Sequence, residues 1–424
     1  MNTPPDKLSP TADIAVRAWT VSCAVGRGRQ ALARAVQSNA TGLKHSADPA
    51  LRPLWDEVMG QSRPPPSCLV GPLPLMHGKP ASDSPASNRA LRLAAQALEE
   101  DDWTAMVARA KSRWGAGRIG LVLGTSASTI ASTEASYRHA LVGGLTAGAG
   151  SAPQLDNPHG VTRFLLETWG LEGPAQTVST ACSSSAKAFA VARRWLLHDQ
   201  ADAVIVAGVE ALCGSLLHGF GSLGLLSPSQ CRPFDAERSG IAIGEAAGFA
   251  LLERGTGPVQ LLACGEASDA HHMSAPHPQG LGARLAVEAA LRQAALDAHE
   301  VGYLNLHGTG TAHNDAIEAL VLDQIYPDGV HASATKGLTG HAMGASGIVE
   351  AGLCFLALEE QLLSGSPGLH RIDPSLPARV EQLLRREPAQ REVDVAVSHS
   401  FGFGGSNAVL VFGRRASSSR GGAA

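Results

Sequence analysis

Short apolar runs recur along this chain, each bounded by glycine or polar residues. They are IAVRAWTV (14–21), IGLVLG (119–124), AVIVAG (203–208), GFALLE (248–253), VQLLAC (259–264), YLNLHG (303–308), VDVAVSH (393–399) and AVLVF (408–412). Their length and β-branched content predict strands. Between them, residues 88–99, 182–198, 281–297, 314–325 and 341–363 predict helices. Strands that alternate with helices imply βα crossovers and a mainly parallel, buried sheet, so the fold class is α/β. Residues 41–87, rich in Pro, Ser and Gly, predict an irregular excursion.

A coarse internal echo is visible. Strand 176–179, a turn of small residues, helix 182–198 and strand 203–208 form one unit. Strand 331–335, a glycine-containing turn, helix 341–363 and strand 393–398 form another. The echo predicts two similar halves, 13–256 and 257–413, with both helix starts near one pseudo-twofold axis. Residues 1–12 and 414–424 are polar or small and predict disordered tails.

Composition narrows the function classes. With 44% hydrophobic and 17% charged residues the chain reads as an ordinary globular protein. A net charge of −4 argues against nucleic acid as the main partner, since duplex binding needs a basic face. The seven cysteines are scattered and include no CxxC pair, which fits reduced thiols better than disulfides or a zinc site. No apolar run reaches the ~18 residues of a membrane span, and the opening MNTPPDKLSP lacks the character of a signal peptide. The expectation is a cytoplasmic protein with no membrane partner.

Two motifs are decoys. GFGSLG (219–224) satisfies G-x-G-x-x-G, but the dinucleotide fingerprint must join a strand directly to a helix. The strand here ends near Gly208, and LLSPSQCRPFD follows with two prolines. HHMSAPH (271–277) matches no common zinc spacing, and Pro276 and Pro278 break the segment, so no metal is expected.

VSTACSSSAKAFAVARRWLL (178–197) carries the first chemical signal. It places Cys182 among small hydroxyl residues where a strand meets a helix. A helix starting at or just after Cys182 would aim free N–H groups and roughly +0.5 charge at the thiol. Lowering a thiol pKa from ~8.5 to ~7 takes about 2 kcal/mol, within reach of such a terminus. The competing reading is a small buried hydrophobe, the commoner fate of a lone cysteine. Other segments tip the balance. NLHGTGTAHNDAIEAL (305–320) sets His307 at a strand end, and SATKGLTGHAMGASGIVEAG (333–352) sets His341 five residues after Lys336. SHSFGFGGSNAVLVF (398–412) places Phe403 in a glycine-flanked loop.

Together these segments resemble the β-ketoacyl-acyl-carrier-protein synthases of the thiolase superfamily. TACSS, HGTGT with D-x-x-E, KGLTGH and GFGGSN appear in the family's order, and the likeness spans about residues 13–413. The opening RAWTVSCAVG and the segment SGIAIGEAAG depart from the family's usual wording, away from the catalytic positions. The resemblance implies a thiolase-like fold of two pseudo-twofold-related halves in αβαβα layers. It implies decarboxylative Claisen condensation, with Cys182 as acyl-accepting nucleophile and His307 and His341 supporting decarboxylation of a malonyl thioester. Lys336, paired with Glu318, would hold the electrostatics, and Asp315 would fix the turn. Thr309 and Thr311 would touch the phosphopantetheine arm. Phe403 would gate the acyl pocket, its N–H joining that of Cys182 in an oxyanion hole.

A second histidine favours the elongating type, because type III primer-condensing synthases carry Asn there and thiolases a second Cys. The alternatives are a non-elongating partner subunit resembling a chain-length factor, a CoA-dependent acyltransferase of the superfamily, and a Cys–His hydrolase. The resemblance also implies an acyl carrier protein as partner, which brings phosphopantetheine as part of the substrate, so no resident cofactor is expected. Arg89 and Arg92 are the expected docking residues for that acidic carrier, and a homodimer or a heterodimer with a related chain is implied. The wording of 182–197 and 209–227 resembles synthases of aryl-polyene or pigment pathways more than housekeeping ones.

Overall fold

The computed structural model describes residues 13–60, 64–75, 88–143 and 157–414. The predicted tails 1–12 and 415–424, and parts of the excursion at 61–63 and 76–87, lie outside the described residues. Arg414, assigned above to the tail, instead closes a strand and pairs with Asp394 and Glu392.

Ten strands form one sheet: β1 (Ile14–Cys23), β2 (Ile119–Gly124), β3 (Ala175–Val178), β4 (Ala203–Glu210), β5 (Ala246–Arg254), β6 (Val259–Ser268), β7 (Tyr303–Asn305), β8 (His331–Ser333), β9 (Val395–Gly402) and β10 (Ser406–Arg414). Their spatial order is β8-β7-β9-β10-β6-β1-β5-β4-β2-β3. Read outward from the centre, the two halves run β1-β5-β4-β2-β3 and β6-β10-β9-β7-β8, the same pattern displaced by five strands. The pairing directions repeat as well. The two inner pairs of each half are antiparallel and the two outer pairs parallel. The halves meet where Ala15 and Val16 pair with Gln260 and Val259.

The helices form three layers. α1 (Arg89–Ala97), α2 (Trp103–Trp114) and α3 (Gly160–Trp169) cover the outer face of the first half, where Trp103 stacks on Phe249 and Trp169 meets it edge-on. α4 (Ser184–Leu197) and α8 (Ser346–Glu359) fill the centre, and α6 (Leu281–Ala294) and α7 (Ala312–Ile325) cover the second half. α5 (Gly214–Ser222) lies near the site. This is the layered thiolase-like arrangement the resemblance implies. The central layer explains the composition of its helices. Every residue of α8 from Ser346 to Leu358 is buried, and α4 is built largely of alanine and serine where it meets α8. Trp19, Phe189, Phe355 and Phe412 interlock around them, with neighbouring centroids 4.9–6.4 Å apart.

The two central helices touch at their N-termini. Ile348 N–H donates to Ser185 Oγ at 3.1 Å. A Cβ on Gly347 would lie 2.4 Å from the Ala186 nitrogen, so only glycine fits. That contact brings the Cys182 and His341 segments together.

The predicted helix 341–363 is shorter in the structure. His341 is held extended beside Ile243, a tight turn follows at Met343–Ala345, and α8 starts only at Ser346. The backbone is bent by Gly340 at φ +72° and Met343 at φ +47°, conformations a helix does not contain. The excursion 41–87 is partly ordered. Lys44–His45 and Leu69–Gly71 join Ile243–Gly244 in a small sheet, and helix Arg52–Val58 packs Leu54, Trp55 and Val58 into a core that includes Met343. GFGSLG lies in the last turns of α5 and just beyond it, not at the turn from a strand into a helix, which removes the dinucleotide reading. Among the described residues no helix is long and apolar enough to cross a membrane.

A Gly347→Ala variant should lose about 1–3 kcal/mol of stability through overpacking at the α4–α8 contact. Chemical unfolding measures the loss, and a stability equal to wild type would show that the contact yields.

Candidate active site

The nucleophile's setting is built by its small neighbours. Ala181, immediately before Cys182, adopts φ +51°, a left-handed conformation unusual for alanine. Hydroxyls hold that bend. Thr180 N–H donates to Ser184 Oγ at 2.9 Å, Ser184 Oγ donates to the Ala181 carbonyl at 2.6 Å, and Ser183 Oγ donates to the Thr180 carbonyl at 2.9 Å. All three serines, 183 to 185, are buried. The hydroxyl-rich TACSSS run is therefore an elbow that presents the thiol.

Helix α4 begins at Ser184, so Cys182 stands just outside it. The expected fall in its pKa does not occur. Burial pushes the thiol up to about 11, outweighing the pull of the Lys336 charge and the N–H groups of Phe403 and Cys182, with Glu350 raising it further. The thiol is 4% exposed, and desolvation of a thiolate decides the balance.

Both histidines arrive beside it. His341 Nε2 lies 3.1 Å from Cys182 Sγ. The His307 and His341 rings stand 5.3 Å apart at 86°, and donor atoms of the three residues lie within 4.8 Å of one another. Their other nitrogens settle the tautomers. His341 Nδ1 accepts the Met343 N–H at 3.2 Å and lies 2.8 Å from Ser346 Oγ. A backbone N–H can only donate, so the ring proton sits on Nε2. His307 Nδ1 lies 3.3 Å from the Lys336 ammonium, also a donor, which places its proton on Nε2 too. Burial first, and then the Lys336 charge, hold both imidazoles well below 6.5, so both are neutral. The site thus holds two neutral imidazoles, each with its proton on Nε2, beside the Cys182 sulfur.

Lys336 does not pair with Glu318 as expected. Its ammonium contacts Glu350, the acid buried in the first half of α8, and donates to the His307 carbonyl. Ser400 Oγ donates to the other Glu350 oxygen at 3.1 Å. Glu318 faces the opposite side of the His307 turn, accepting the N–H groups of His307 at 2.8 Å and Gly308 at 2.7 Å. The reason is geometric: α7 aims its acids at backbone N–H groups of the turn, while α8 passes under the lysine. His399, also unanticipated, backs Glu318, with its Nδ1 3.2 Å from the carboxylate and its Nε2 2.9 Å from the Tyr326 hydroxyl. Asp315 accepts N–H groups from Thr309 and Gly310 at 3.2 Å and from Phe234 at 2.8 Å, though burial raises its pKa to about 6.

A cavity of about 350 Å³ connects these groups, lined by Cys182, His307, His341, Thr309, Thr311 and Phe403 among others. The Thr309 and Thr311 hydroxyls lie 2.9 Å apart. The Phe403 ring stacks on Phe220 of α5, 5.8 Å away at 28°, and the Phe403 N–H and the Cys182 N–H both point at the sulfur.

Neither Arg89 nor Arg92 is a free surface cation. Arg89 is 6% exposed and grips Glu245 with two bonds, at 2.6 and 2.7 Å, while Arg92 contacts Glu57. Both cations are neutralised by acids, Glu245 buried and Glu57 half-buried, which the helical pattern alone does not reveal. Among the described residues the one trio with metal-ligand spacing is Cys182, His307 and His341. It does not suit a zinc ion: ligation through Nε2 requires the proton on Nδ1, where Met343 and Lys336 already donate.

Comparisons with known proteins agree with this geometry. Residues 78–256 match the family described as beta-ketoacyl synthase, N-terminal domain, and residues 260–370 its C-terminal domain. Nodulation protein E of Rhizobium meliloti is 34% identical over 307 residues, 70% of this chain and 75% of that protein. The 3-oxoacyl-[acyl-carrier-protein] synthase 2 of the same organism is 35% identical over 263 residues, 58% of this chain and 62% of that enzyme. Among solved structures, the ketosynthase ApeO in complex with its chain length factor ApeC, from Xenorhabdus doucetiae, superposes with a TM-score of 0.83. It is 34% identical and covers 98% of this chain and all of that one.

Two predictions follow from the electrostatics. Glu350→Gln leaves the Lys336 ammonium buried without its counter-ion and should cost about 3–5 kcal/mol in chemical unfolding. Equal stability would refute the pairing. For acid, the folded state holds His307 and His341 neutral below their ordinary 6.5, so the unfolded chain binds more protons there. Stability should therefore fall as pH drops below 6.5, by about 1.4 kcal/mol per unit for each histidine. His307→Asn and His341→Asn variants should each flatten that slope in urea titrations at pH 6.5 and 5.5.

Proposed function

The chain belongs to the beta-ketoacyl synthase family, and from that premise we propose how its residues divide the elongating condensation of an acyl group with a malonyl-acyl-carrier-protein. The observation that carries the reading is the gathering of two neutral imidazoles, His307 and His341, beside a single buried thiol.

In the first half-reaction the Cys182 sulfur attacks the acyl thioester, and its proton leaves with the departing carrier thiol. The tetrahedral oxyanion is received by the N–H groups of Cys182 and Phe403. Losing one such donor costs about 10²–10³ in rate. In the second, the malonyl carboxylate departs as CO₂, and its electron pair becomes an enolate. Its oxygen is held by the Nε2–H groups of His307 and His341. Imidazolium would be a worse choice here, since neutral donors polarise the oxygen without protonating it. The enolate carbon attacks the Cys182 thioester, and the sulfur is released and takes up one proton. Lys336 stays bound to Glu350 and the His307 carbonyl throughout, fixing the His307 tautomer. Phosphopantetheine enters with the carrier past Thr309 and Thr311, and Phe403 swings from Phe220 to admit the acyl chain. No resident cofactor is needed.

We assign the chain to the elongating member of any pair, because a non-elongating partner subunit has no use for a poised cysteine. A CoA-dependent acyltransferase or a hydrolase has no use for two enolate donors. A second ketosynthase-like chain is the proposed partner, as the Xenorhabdus ketosynthase has its chain length factor. Among the described residues β3 pairs on one side only, with Ala175 and Gln176 exposed, and that edge supports such an assembly, whereas the other edge, β8, is covered by Leu384. An aryl-polyene-type pathway is the proposed setting, on the wording of residues 182–197 and 209–227. The cytoplasm is the proposed compartment, in keeping with seven free thiols, six of them buried.

The test is intact-mass measurement with a panel of acyl carriers. Acyl transfer should add the acyl mass to wild type and not to Cys182→Ala. Malonyl carrier should then discharge it as a chain longer by two carbons. Elongation by Cys182→Ala, or discharge as the free acid alone, would overturn the reading.

A further inference from the structure

Glu210 ends β4 wholly buried, and among the described residues no cation pairs with it. Its carboxylate accepts from five donors. Oε2 takes Ser126 N–H and Oγ at 2.7 Å each and Gly344 N–H at 2.9 Å. Oε1 takes Ala127 N–H at 2.8 Å and Thr125 Oγ1 at 3.3 Å. These donors come from two separate segments: the turn after β2 in the first half, and the Met343–Ala345 turn of the second. The carboxylate clamps them together so closely that a Cβ on Gly344 would lie 2.4 Å from the Ser126 nitrogen. Met343, the next residue back, is held at φ +47°, and its N–H is the group that occupies His341 Nδ1 at 3.2 Å.

We propose that Glu210 is a positioning residue for His341, acting through the clamped Met343–Gly344 peptides to keep the ring proton on the nitrogen that faces Cys182. The inference rests on the condensing role given above to His341. The internal repeat supports it. Glu318 in the second half grips two successive N–H groups, of His307 and Gly308, just after β7. Glu210 in the first half grips two successive N–H groups, of Ser126 and Ala127, just after β2, the counterpart of β7. Each half thus holds the turn after its second strand with a buried carboxylate. Glu210 adds a bond across the halves, to the segment carrying the second histidine. A carboxylate suits this task because both oxygens accept, whereas a glutamine amide would turn N–H groups toward N–H donors.

The test compares the full chain with Glu210→Gln and Glu210→Asp, the second keeping the charge but drawing it back by one methylene. Histidine ¹⁵N shifts, assigned to His341 with a His341→Asn control, report the tautomer directly. The pH dependence of Cys182 alkylation by iodoacetamide reports whether an Nε2–H still supports the thiolate. Glu210→Gln should move the proton toward His341 Nδ1 and shift alkylation to higher pH. Condensation turnover should fall roughly tenfold to a hundredfold with the carrier KM within about twofold. If that variant does not fold, Glu210→Asp should show the same shifts in smaller degree. A folded variant with the wild-type tautomer and alkylation profile overturns the proposal, whatever its melting temperature. Neither spectroscopic readout needs a carrier, so a wild-type chain inactive on malonyl carriers would count against the proposed function alone.

Discussion

The site depends on what occupies the far nitrogen of each imidazole. Met343 N–H on one ring and the Lys336 ammonium on the other are donors, so each ring must turn an N–H toward the cavity. Burial then forbids a second proton. A histidine near 6.5 in water would spend part of its time as imidazolium, a proton source that quenches an enolate. Two desolvated rings beside a fixed ammonium do not. The same burial that neutralises the rings also keeps Cys182 a thiol at neutral pH. Its activation therefore belongs to the moment when a thioester fills the cavity and the N–H groups of Phe403 and Cys182 receive the developing charge.

The pseudo-symmetry explains how one chain assembles such a site. Repeating the same five-strand order places the same kinds of loop, after the second and third strands of each half, around a common axis. Helices α4 and α8 meet there with only small side chains between them. The first half contributes the elbow with Cys182, and the second contributes His307, Lys336 and His341. Neither half holds a complete set, so the buried carboxylates that tie turns in place matter as much as the groups that touch substrate.

Much of this was legible beforehand. The strands of the sheet are runs buried on both faces, such as IGLVLG and AVIVAG, and their apolar continuity leaves little ambiguity. The order of chemical motifs placed Cys182, His307 and His341 before any coordinates. Helix α5 was not visible, because GSLLHGFGS carries three glycines. It forms because the Glu134 carboxylate accepts the N–H groups of Gly214 at 3.0 Å and Ser215 at 2.7 Å. Helix α2 buries only Trp103, Val107 and Ala110, too thin a stripe to stand out. The Lys336 partner was misread because two acids compete for it in sequence. A glutamate interrupting the apolar run SGIVEAGLCFLAL was the available signal for Glu350. Arg89 was misread for the converse reason: a buried arginine and a solvated one have the same helical spacing, and only Glu245, 156 positions away, tells them apart.

The central claim concerns two protons, and neutron diffraction of the deuterium-exchanged protein at neutral pH sees them directly. The account predicts one deuteron on Nε2 of His307, one on Nε2 of His341 and none on either Nδ1. A deuteron on Nδ1 of either ring, or on both nitrogens of one, would contradict it.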